Sequence, residues 1–183
     1  MTTNEQWING KFEETETDYK ITGKNILYKN EIEFLPKGVE LLCKKLKPKS
    51  VLEFGFGMGW TSTEFQKQDV KRHVILEPNK ENYQMALEWK KQFDDSDIEI
   101  LNIFSWDLET TEKFDLVYDD IQQFTKKCNE KHRKQMDKIL EEGQLYTTCA
   151  THISRNAKSR GCPIYFEIDD KLCVQPLRRY NNG

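Results

Sequence analysis

Three glycines alternate with large apolar side chains directly after a short hydrophobic run, in the segment "VLEFGFGMGW". Gly55, Gly57 and Gly59 give up conformational entropy there, which indicates that the backbone passes close to something. A glycine turn between a strand and a helix lets a nucleotide-like ligand lie against the backbone. Glu53 stands two places before the first of these glycines, so a carboxylate accompanies the turn.

Two kinds of nucleotide-containing cofactor could lie on such a loop. A dinucleotide site has the pattern G-x-G-x-x-G, in which the third glycine serves close helix packing. Gly55 and Gly57 fit this pattern, but the third position falls on Trp60, whose indole would block both packing and phosphate approach. The observed order, Glu-x-Gly-x-Gly-x-Gly, therefore favours a cofactor other than a dinucleotide.

The elements that must position this loop alternate along the chain. Apolar residues at helical spacing predict helices over 31–46, 61–68, 79–93 and 125–140. Short apolar runs predict strands at SVLEFG, HVILEP, IEILNI, FDLVYDD and GQLYTTCA, and PIYFEI and LCVQPL are typical of a closing antiparallel strand pair. Residues 1–30 are polar and are expected to be irregular. The alternation predicts an α/β fold with a mostly parallel sheet, helices on both faces, and ligand binding at the carboxyl ends of the strands.

The glycine segment resembles the first motif of class I S-adenosylmethionine-dependent methyltransferases. The resemblance implies a Rossmann-like fold with a mixed, seven-stranded, mostly parallel sheet and an antiparallel C-terminal strand pair. It also implies that Glu53 lies near the methionine end of S-adenosylmethionine and that the glycine loop passes beneath the cofactor. The family's second signature is an acidic residue at the end of the second strand, and "VILEPN" supplies Glu77 there. Such a carboxylate accepts hydrogen bonds from both ribose hydroxyls and would repel a 2′-phosphate.

Further segments are similar to one branch of that superfamily, guanidinoacetate N-methyltransferase and the protein-arginine methyltransferases that modify the internal guanidino nitrogen. "VLEFGFGMG" is similar to the branch's V-L-E-V-G-F-G-M loop, "FSWDLE" to its segment ending in Trp-Glu-Asp, and "FDLVYDD" to F-D-G-I-L-Y-D-T. "GKNILYKNEIE" loosely matches G-K-P-V-M-x-x-W-E, and Trp7 lies where the branch has an N-terminal tryptophan over the acceptor. The resemblance runs from about Trp7 to Thr151.

The resemblance assigns a set of residues to the cofactor, in which Ser105 and Trp106 would border the adenine. The cofactor-binding residues that it implies are Glu53, Gly55, Phe56, Gly57, Met58, Gly59, Trp60, Thr61, Glu77, Pro78, Asn79, Ser105 and Trp106.

Two carboxylates are implied on the acceptor side. Asp119 in "FDLVYDD" falls on the branch's catalytic aspartate. The second carboxylate is Glu31 by local motif matching and Glu33 by counting back without gaps from Val51, and we take Glu31 as the catalytic one. Two carboxylates could bind a cationic guanidinium bidentately and take a proton as the methyl group is transferred. The acceptor-binding residues implied are Trp7, Glu31, Glu33, Asp119, Thr151 and His152.

The expected function is N-methylation of a small guanidino or amino compound, with S-adenosylmethionine as the donor. Methylation of arginine within a protein is the alternative enzyme activity. A non-catalytic methyltransferase-like subunit, which binds donor or product and supports a partner, is the alternative of a different class.

The amino-acid composition bears on the number of domains and on whether the protein binds nucleic acid, a membrane or a metal. The 183 residues suit one domain, predicted as an acceptor-site cover over 1–46 and a cofactor-binding core over 47–183. The formal net charge of −3 lacks the basic surplus typical of nucleic-acid binders, and no apolar run is long enough to span a bilayer. The five cysteines and three histidines are scattered without ligand spacing, so no metal is expected and the histidines are expected at the surface or in packing. We expect a cytoplasmic protein that binds a small-molecule acceptor and could form a homodimer.

Overall fold

A small module begins the chain. The computed structural model describes residues 4–93, 96–121, 126–141, 144–148, 164–168, 171–175 and 178–180. The first elements of the chain are the helix α1 (Asn4–Ile8) and the strands β1 (Phe12–Glu14), β2 (Asp18–Ile21) and β3 (Lys24–Tyr28). The three strands form an antiparallel sheet of their own, with β2 in the middle. We call residues 4–28 the N-terminal module.

This module corrects the expectation that the first 30 residues are irregular. Thr22 and Gly23 join β2 to β3 and have φ of 52° and 71°. Positive φ at both central residues is the backbone of a two-residue hairpin turn of type I′. The strands have only three to five residues each, which leaves too little alternation for a sequence pattern to reveal them.

Strands and helices alternate through the rest of the chain. The strands are β4 (Ser50–Phe54), β5 (Arg72–Leu76), β6 (Asp97–Leu101), β7 (Leu116–Asp119), β8 (Leu145–Thr148), β9 (Ile164–Ile168), β10 (Lys171–Gln175) and β11 (Arg178–Arg179). The helices are α2 (Phe34–Leu46), α3 (Trp60–Lys67), α4 (Lys80–Lys90) and α5 (Lys126–Ile139). Two 3-10 turns cover Lys29–Glu31 and Ser105–Asp107. The helix predicted over 31–46 is therefore a 3-10 turn followed by α2.

The central sheet has the strand order β11-β8-β7-β4-β5-β6, and its neighbours are parallel except for β11 and β8. The predicted α/β class and the antiparallel pairing of the two C-terminal segments are confirmed. The strand count differs, because the described part of this sheet has six strands and not seven. Within the described residues, the strands β9 and β10 pair with each other and not with the central sheet, and they lie beside α2, while β11 pairs with β8.

Buried apolar side chains cover both faces of this sheet. On one face, Val39 of α2 packs with Val51 of β4 and Leu116 of β7, and α4 covers β5 and β6 farther along. On the other face, Met136 of α5 packs against Leu52 of β4. Burial on both faces explains why these strands appear in the sequence as continuous apolar runs. The helix α2, which the predicted cover included, lies on the central sheet.

Three strand ends meet at one edge of the sheet. The strands β7, β4 and β5 are adjacent, with Asp119 opposite Phe54 and Phe54 opposite Leu76. The glycine loop after β4 therefore lies between the residues that follow β5 and those that follow β7. Parallel strands bind ligands at this kind of edge.

Other features of the described ranges bear on the function classes. Among their helices, none is long and apolar enough to cross a membrane. A search of the same residues finds no cluster of three histidine, cysteine, aspartate or glutamate side chains that could hold a metal. Cys43 and Cys128 are buried cysteines outside any disulfide, and burial raises the pKa of Cys43 to about 12. Such a thiol is a packing residue and not a nucleophile.

Candidate active site

An open cavity of about 610 Å³ lies at the carboxyl edge of the central sheet. Gly55 and Gly57 line it from the loop after β4, and Glu77 lines it from the end of β5. Trp7 and Ile26 of the N-terminal module also line it.

The glycines of the loop have different tasks. Gly55 has φ of +89°, and a Cβ there would lie 2.8 Å from the carbonyl oxygen of Asp120, so this glycine permits the loop to pack against the end of β7. Gly57 has φ of +55°, and a Cβ there would meet nothing within 4 Å, because the position faces the cavity. Gly59 stands at the N-cap of α3. Only at Gly57 does the structure leave open space that a bound ligand could take.

Glu77 is a buried carboxylate at the cavity wall, only 4% exposed. Its Oε1 accepts a hydrogen bond from the backbone N–H of Asn79 at 2.8 Å, and its Oε2 accepts one from the N–H of Phe56 at 3.2 Å. Burial raises the pKa of Glu77 from 4.5 to about 7, and the backbone donors oppose that rise. The carboxylate is thereby fixed in orientation, with acceptor capacity left for a ligand. Pro78 lines the cavity next to it.

Glu53 is fully buried and lies outside the residues that line the cavity. Its carboxylate accepts hydrogen bonds from the hydroxyls of Thr61 at 2.5 Å and Ser62 at 2.6 Å, both in the first turn of α3. Nε2 of His73 lies 3.0 Å from Glu53 Oε2. These contacts join β4, α3 and β5, so in this structure the motif's acidic residue and Thr61 hold elements together.

Asn79 likewise contacts protein atoms rather than the cavity. It caps α4, where its side-chain oxygen accepts a hydrogen bond from the N–H of Asn82 at 3.0 Å. Its Nδ2 donates to the carbonyl oxygens of Trp7 at 2.7 Å and Gly10 at 2.9 Å. The residue is fully buried and joins the N-terminal module to the core.

Three bulky residues of the predicted cofactor loop pack away from the cavity. The ring of Phe56 lies edge-to-face on Trp89 of α4, with centroids 5.5 Å apart. Met58 and Trp60 pack against buried apolar residues of the N-terminal module and α2. Their side chains fix how the loop is seated between α4 and that module.

Aromatic residues form the wall after β6. Trp106 lines the cavity and stacks on Phe104, with centroids 4.5 Å apart and ring planes 8° from parallel. Lys131 Nζ lies 5.8 Å from the centroid of the Trp106 ring. Ser105, between the two rings in sequence, also lines the cavity and is 5% exposed. This flat apolar wall suits a planar heterocycle.

The acceptor-side residues lie in several places. Asp119 ends β7, and its Oδ2 accepts a hydrogen bond from Nε2 of His132 at 3.0 Å. The cavity wall at this strand end is formed instead by the next two residues, Asp120 and Ile121. Ser105 Oγ lies 2.8 Å from the other ring nitrogen of His132. The histidine thus connects the wall after β6 to the end of β7.

The two candidate glutamates stand away from the described cavity lining. Glu31 ends the 3-10 turn before α2, and its Oε2 accepts a hydrogen bond from the N–H of Tyr28 at 3.0 Å. Glu33 is exposed at the N-cap of α2. The structure brings neither of them to the cavity wall. Thr151 and His152 lie outside the described residues.

Sequence reasoning missed several residues of the site, and His132 is the most informative. It lies on the buried stripe of α5 that also carries Cys128, Gln135, Met136 and Ile139, at helical spacing. A polar residue on an apolar stripe was the available signal. Asp120 carried no such signal, because a strand end gives no indication of which of two adjacent aspartates lines the cavity.

The sheet order and the glycine loop beside a buried carboxylate define the fold of class I S-adenosylmethionine-dependent methyltransferases. Solved enzymes share it. NodS, an N-methyltransferase from Bradyrhizobium japonicum WM9 crystallised with S-adenosyl-l-homocysteine, is 13% identical with a TM-score of 0.60, over 84% of this chain and 88% of that one. The 1,6-didemethyltoxoflavin-N1-methyltransferase of Burkholderia thailandensis is 9% identical with a TM-score of 0.59, over 84% and 80%. The Podospora anserina methyltransferase PaMTH1 is 15% identical with a TM-score of 0.52, over 79% and 78%.

The family follows from the sequence. The family model for guanidinoacetate N-methyltransferase matches residues 2–150. The chain therefore belongs to the guanidinoacetate N-methyltransferase family, and it is a methyltransferase. A comparison with curated protein sequences finds no match.

Proposed function

We propose that the protein is an S-adenosylmethionine-dependent N-methyltransferase that acts on a small guanidino or amino compound. The observation that carries the donor assignment is the pairing of buried Glu77 with the open space at Gly57 in one cavity wall. An ionised carboxylate there accepts hydrogen bonds from both hydroxyls of a ribose. The backbone at Gly57 can approach a ligand closely, because no side chain stands between them.

The rest of the cavity supports the same ligand. Trp106, stacked on Phe104, would form the wall for an adenine ring. The three solved proteins named above, NodS, the Burkholderia enzyme and PaMTH1, carry S-adenosylhomocysteine in their structures. When bound, S-adenosylmethionine supplies a methyl group carried on a positively charged sulfur. The residues of this chain must then orient the acceptor and take up its proton.

On the acceptor side, the proposal gives Asp119 the role of the carboxylate that holds the acceptor nitrogen and takes its proton. A positioned base of this kind contributes about 10²–10⁴-fold to a rate. Glu31 remains the proposed second carboxylate, with Glu33 as its alternative, and a guanidinium would bind between the two acids. The family match to guanidinoacetate N-methyltransferase supports a guanidino acceptor.

The cover over the cavity favours a small acceptor over an arginine in a protein. Trp7 and Ile26 of the N-terminal module line the wall, and Trp7 is 7% exposed. The backbone of Phe12 donates a hydrogen bond to Glu81 of α4 at 2.8 Å, so the module is joined to the core close to the cavity. A folded protein would have to displace this module to insert an arginine, whereas a small molecule would not.

The test combines donor binding with an acceptor screen. Calorimetry should show binding of S-adenosylmethionine and no binding of NAD by the wild-type protein. Isotope-labelled S-adenosylmethionine should then transfer its methyl group to guanidinoacetate or to another member of a guanidino and amine panel. Asp119→Asn should keep the donor affinity and lower turnover by two orders of magnitude or more.

Each result has a defined meaning. Preferred binding of NAD would refute the donor assignment. Tight donor binding without turnover on any small guanidino or amine acceptor, but with labelling of arginine in a protein, would move the activity to protein arginine. Donor binding without either transfer would favour a non-catalytic subunit. Unchanged turnover in Asp119→Asn would remove Asp119 from the acceptor site.

A further inference from the structure

Three side chains form a hydrogen-bonded line from the cavity wall to the end of β7. Ser105 Oγ lies 2.8 Å from Nδ1 of His132, and His132 Nε2 lies 3.0 Å from Oδ2 of Asp119. The side chains of His132 and Asp119 are 6% and 12% exposed, so this line is nearly shielded from water. The proposed methyl transfer assigns no role to His132.

The partners of the ring determine where its proton lies. An ionised carboxylate can only accept, so Nε2 of His132 must carry the hydrogen that Asp119 Oδ2 receives. In the neutral ring, Nδ1 is then an acceptor, and the hydroxyl of Ser105 donates to it. The ring lies edge-to-face on Phe54 of β4, with centroids 5.6 Å apart and planes at 84°, which fixes its orientation. One tautomer in one orientation satisfies all three contacts.

The hydrogen bond from His132 to Oδ2 leaves the other carboxylate oxygen of Asp119 without this partner. Oδ1 of Asp119 is buried and has no hydrogen-bond partner among the residues that the structure describes. A buried acceptor without a partner is costly, and a ligand N–H would relieve that cost. Because His132 engages Oδ2, Oδ1 is the atom left for such a donor.

We propose that His132 is a positioning residue, which holds Asp119 so that Oδ1 meets the N–H of the acceptor. The inference rests on the proposed function, since it assumes that the acceptor binds at Asp119. The proton that the acceptor nitrogen loses then binds to Oδ1, and His132 keeps its own proton on Nε2 throughout. Ser105 has a second contact beside lining the cavity, because its hydroxyl donates to Nδ1 and so supports the tautomer that Asp119 already requires.

The experiment compares four proteins. They are the wild type, His132→Leu, His132→Gln and Gln135→Leu. The glutamine at 132 keeps an N–H donor for Asp119, while the leucine removes it. Gln135 is the matched control, because it is also a buried polar residue of α5 and donates to the carbonyl oxygen of Leu108 at 2.6 Å, outside the line described above.

The first measurement needs neither donor nor acceptor. Nitrogen NMR of the imidazole in the ligand-free wild type should show the proton on Nε2, with a proton signal at low field that is protected from exchange. That signal should remain in Ser105→Ala and should be lost or move upfield in Asp119→Leu. A proton on Nδ1, or a signal indifferent to Asp119→Leu, would overturn the proposal.

The second measurement is steady-state kinetics with S-adenosylmethionine and guanidinoacetate. His132→Leu should lower kcat by about 100-fold, the scale of a misplaced catalytic group, with donor affinity by calorimetry unchanged within twofold. His132→Gln should recover most of this loss, and Gln135→Leu should keep the wild-type kcat. Wild-type kcat in His132→Leu, or equal losses in both leucine variants, would refute a positioning role. If the wild type methylates no guanidino or amine acceptor, the acceptor assignment fails on its own, and the NMR result still decides whether His132 holds Asp119.

Discussion

Gly57 and Gly23 have a similar backbone conformation but lie in different places. Their φ angles are +55° and +71°, and a Cβ at either would meet nothing within 4 Å. Gly57 lines the cavity, whereas Gly23 belongs to the hairpin turn between β2 and β3. Alanine should therefore cause similar backbone strain at both positions, on the order of 1–2 kcal/mol of unfolding free energy.

Only the alanine at Gly57 should affect the donor. We expect Gly57→Ala to weaken S-adenosylmethionine at least tenfold, because its methyl group would enter space that the ligand needs. Gly23→Ala should leave the affinity unchanged, and chemical denaturation should show comparable losses of stability in both variants. Equal donor affinities by calorimetry would mean that Gly57 is a folding residue and that the ligand lies elsewhere.

At the scale of elements, the hydrogen bonds between the N-terminal module and the start of α4 hold Trp7 at the cavity wall. Asn79→Ala removes the cap of α4 and both side-chain hydrogen bonds to the module. Loss of such a cap costs about 0.5–2 kcal/mol. Hydrogen exchange of amides in residues 4–28 should become faster, and donor affinity should fall, because Trp7 is no longer held at the wall.

The neighbouring Lys80 provides the control for this experiment. Its Nζ bonds Asn9 Oδ1 at 2.8 Å on the exposed side of the same join. Exposed contacts of this kind contribute little, so Lys80→Ala should leave exchange in the module nearly unchanged. Equal exchange in Asn79→Ala and wild type would show that the side chain of Asn79 does not hold the module on the core.

The sequence predicted elements well where both faces of a strand are buried. The segment "HVILEP" is one example, because β5 packs against α4 on one side and α5 on the other, and its apolar run is continuous. The N-terminal module escaped prediction, since its strands are short and its fold depends on a turn at Thr22 and Gly23. Local pattern could not reveal either the turn or the long-range bonds from Asn79.

The sequence likewise predicted some residues of the site but not the contacts between them. Glu77, Gly55 and Gly57 follow from strand order and motif, and the structure brings these three residues to one cavity. The partners of Glu53 could not be foreseen, because they come from α3 and β5 and depend on how those elements pack. The same holds for His132, whose two hydrogen-bond partners lie 27 and 13 residues away in the chain.

At the scale of the whole molecule, Glu77 connects the stability of the protein to ligand binding. A carboxyl whose pKa rises from 4.5 to about 7 on folding binds more protons in the folded state than in the unfolded state between those pH values. The free energy of unfolding therefore falls as pH rises through that window. The full loss of stability caused by Glu77 is present above about pH 7. The fold tolerates a buried charge at the place where a ligand needs it, at a cost in stability on the order of a few kcal/mol.

Glu77→Gln removes this titration while keeping the shape of the side chain. Between pH 5 and pH 8, the wild type without donor should lose stability relative to Glu77→Gln, since only the wild type must ionise a buried group. Donor affinity should show the opposite trend, rising in the wild type as pH passes 7, because the ionised carboxylate is the form that accepts two ribose hydroxyls. Chemical denaturation and calorimetry at matched pH values give both quantities, and the difference between the two proteins cancels the titration of other groups. Parallel pH dependence of stability in both proteins would show that Glu77 is already ionised in the folded state without cost, and a flat donor affinity in the wild type would separate the carboxylate from the ribose.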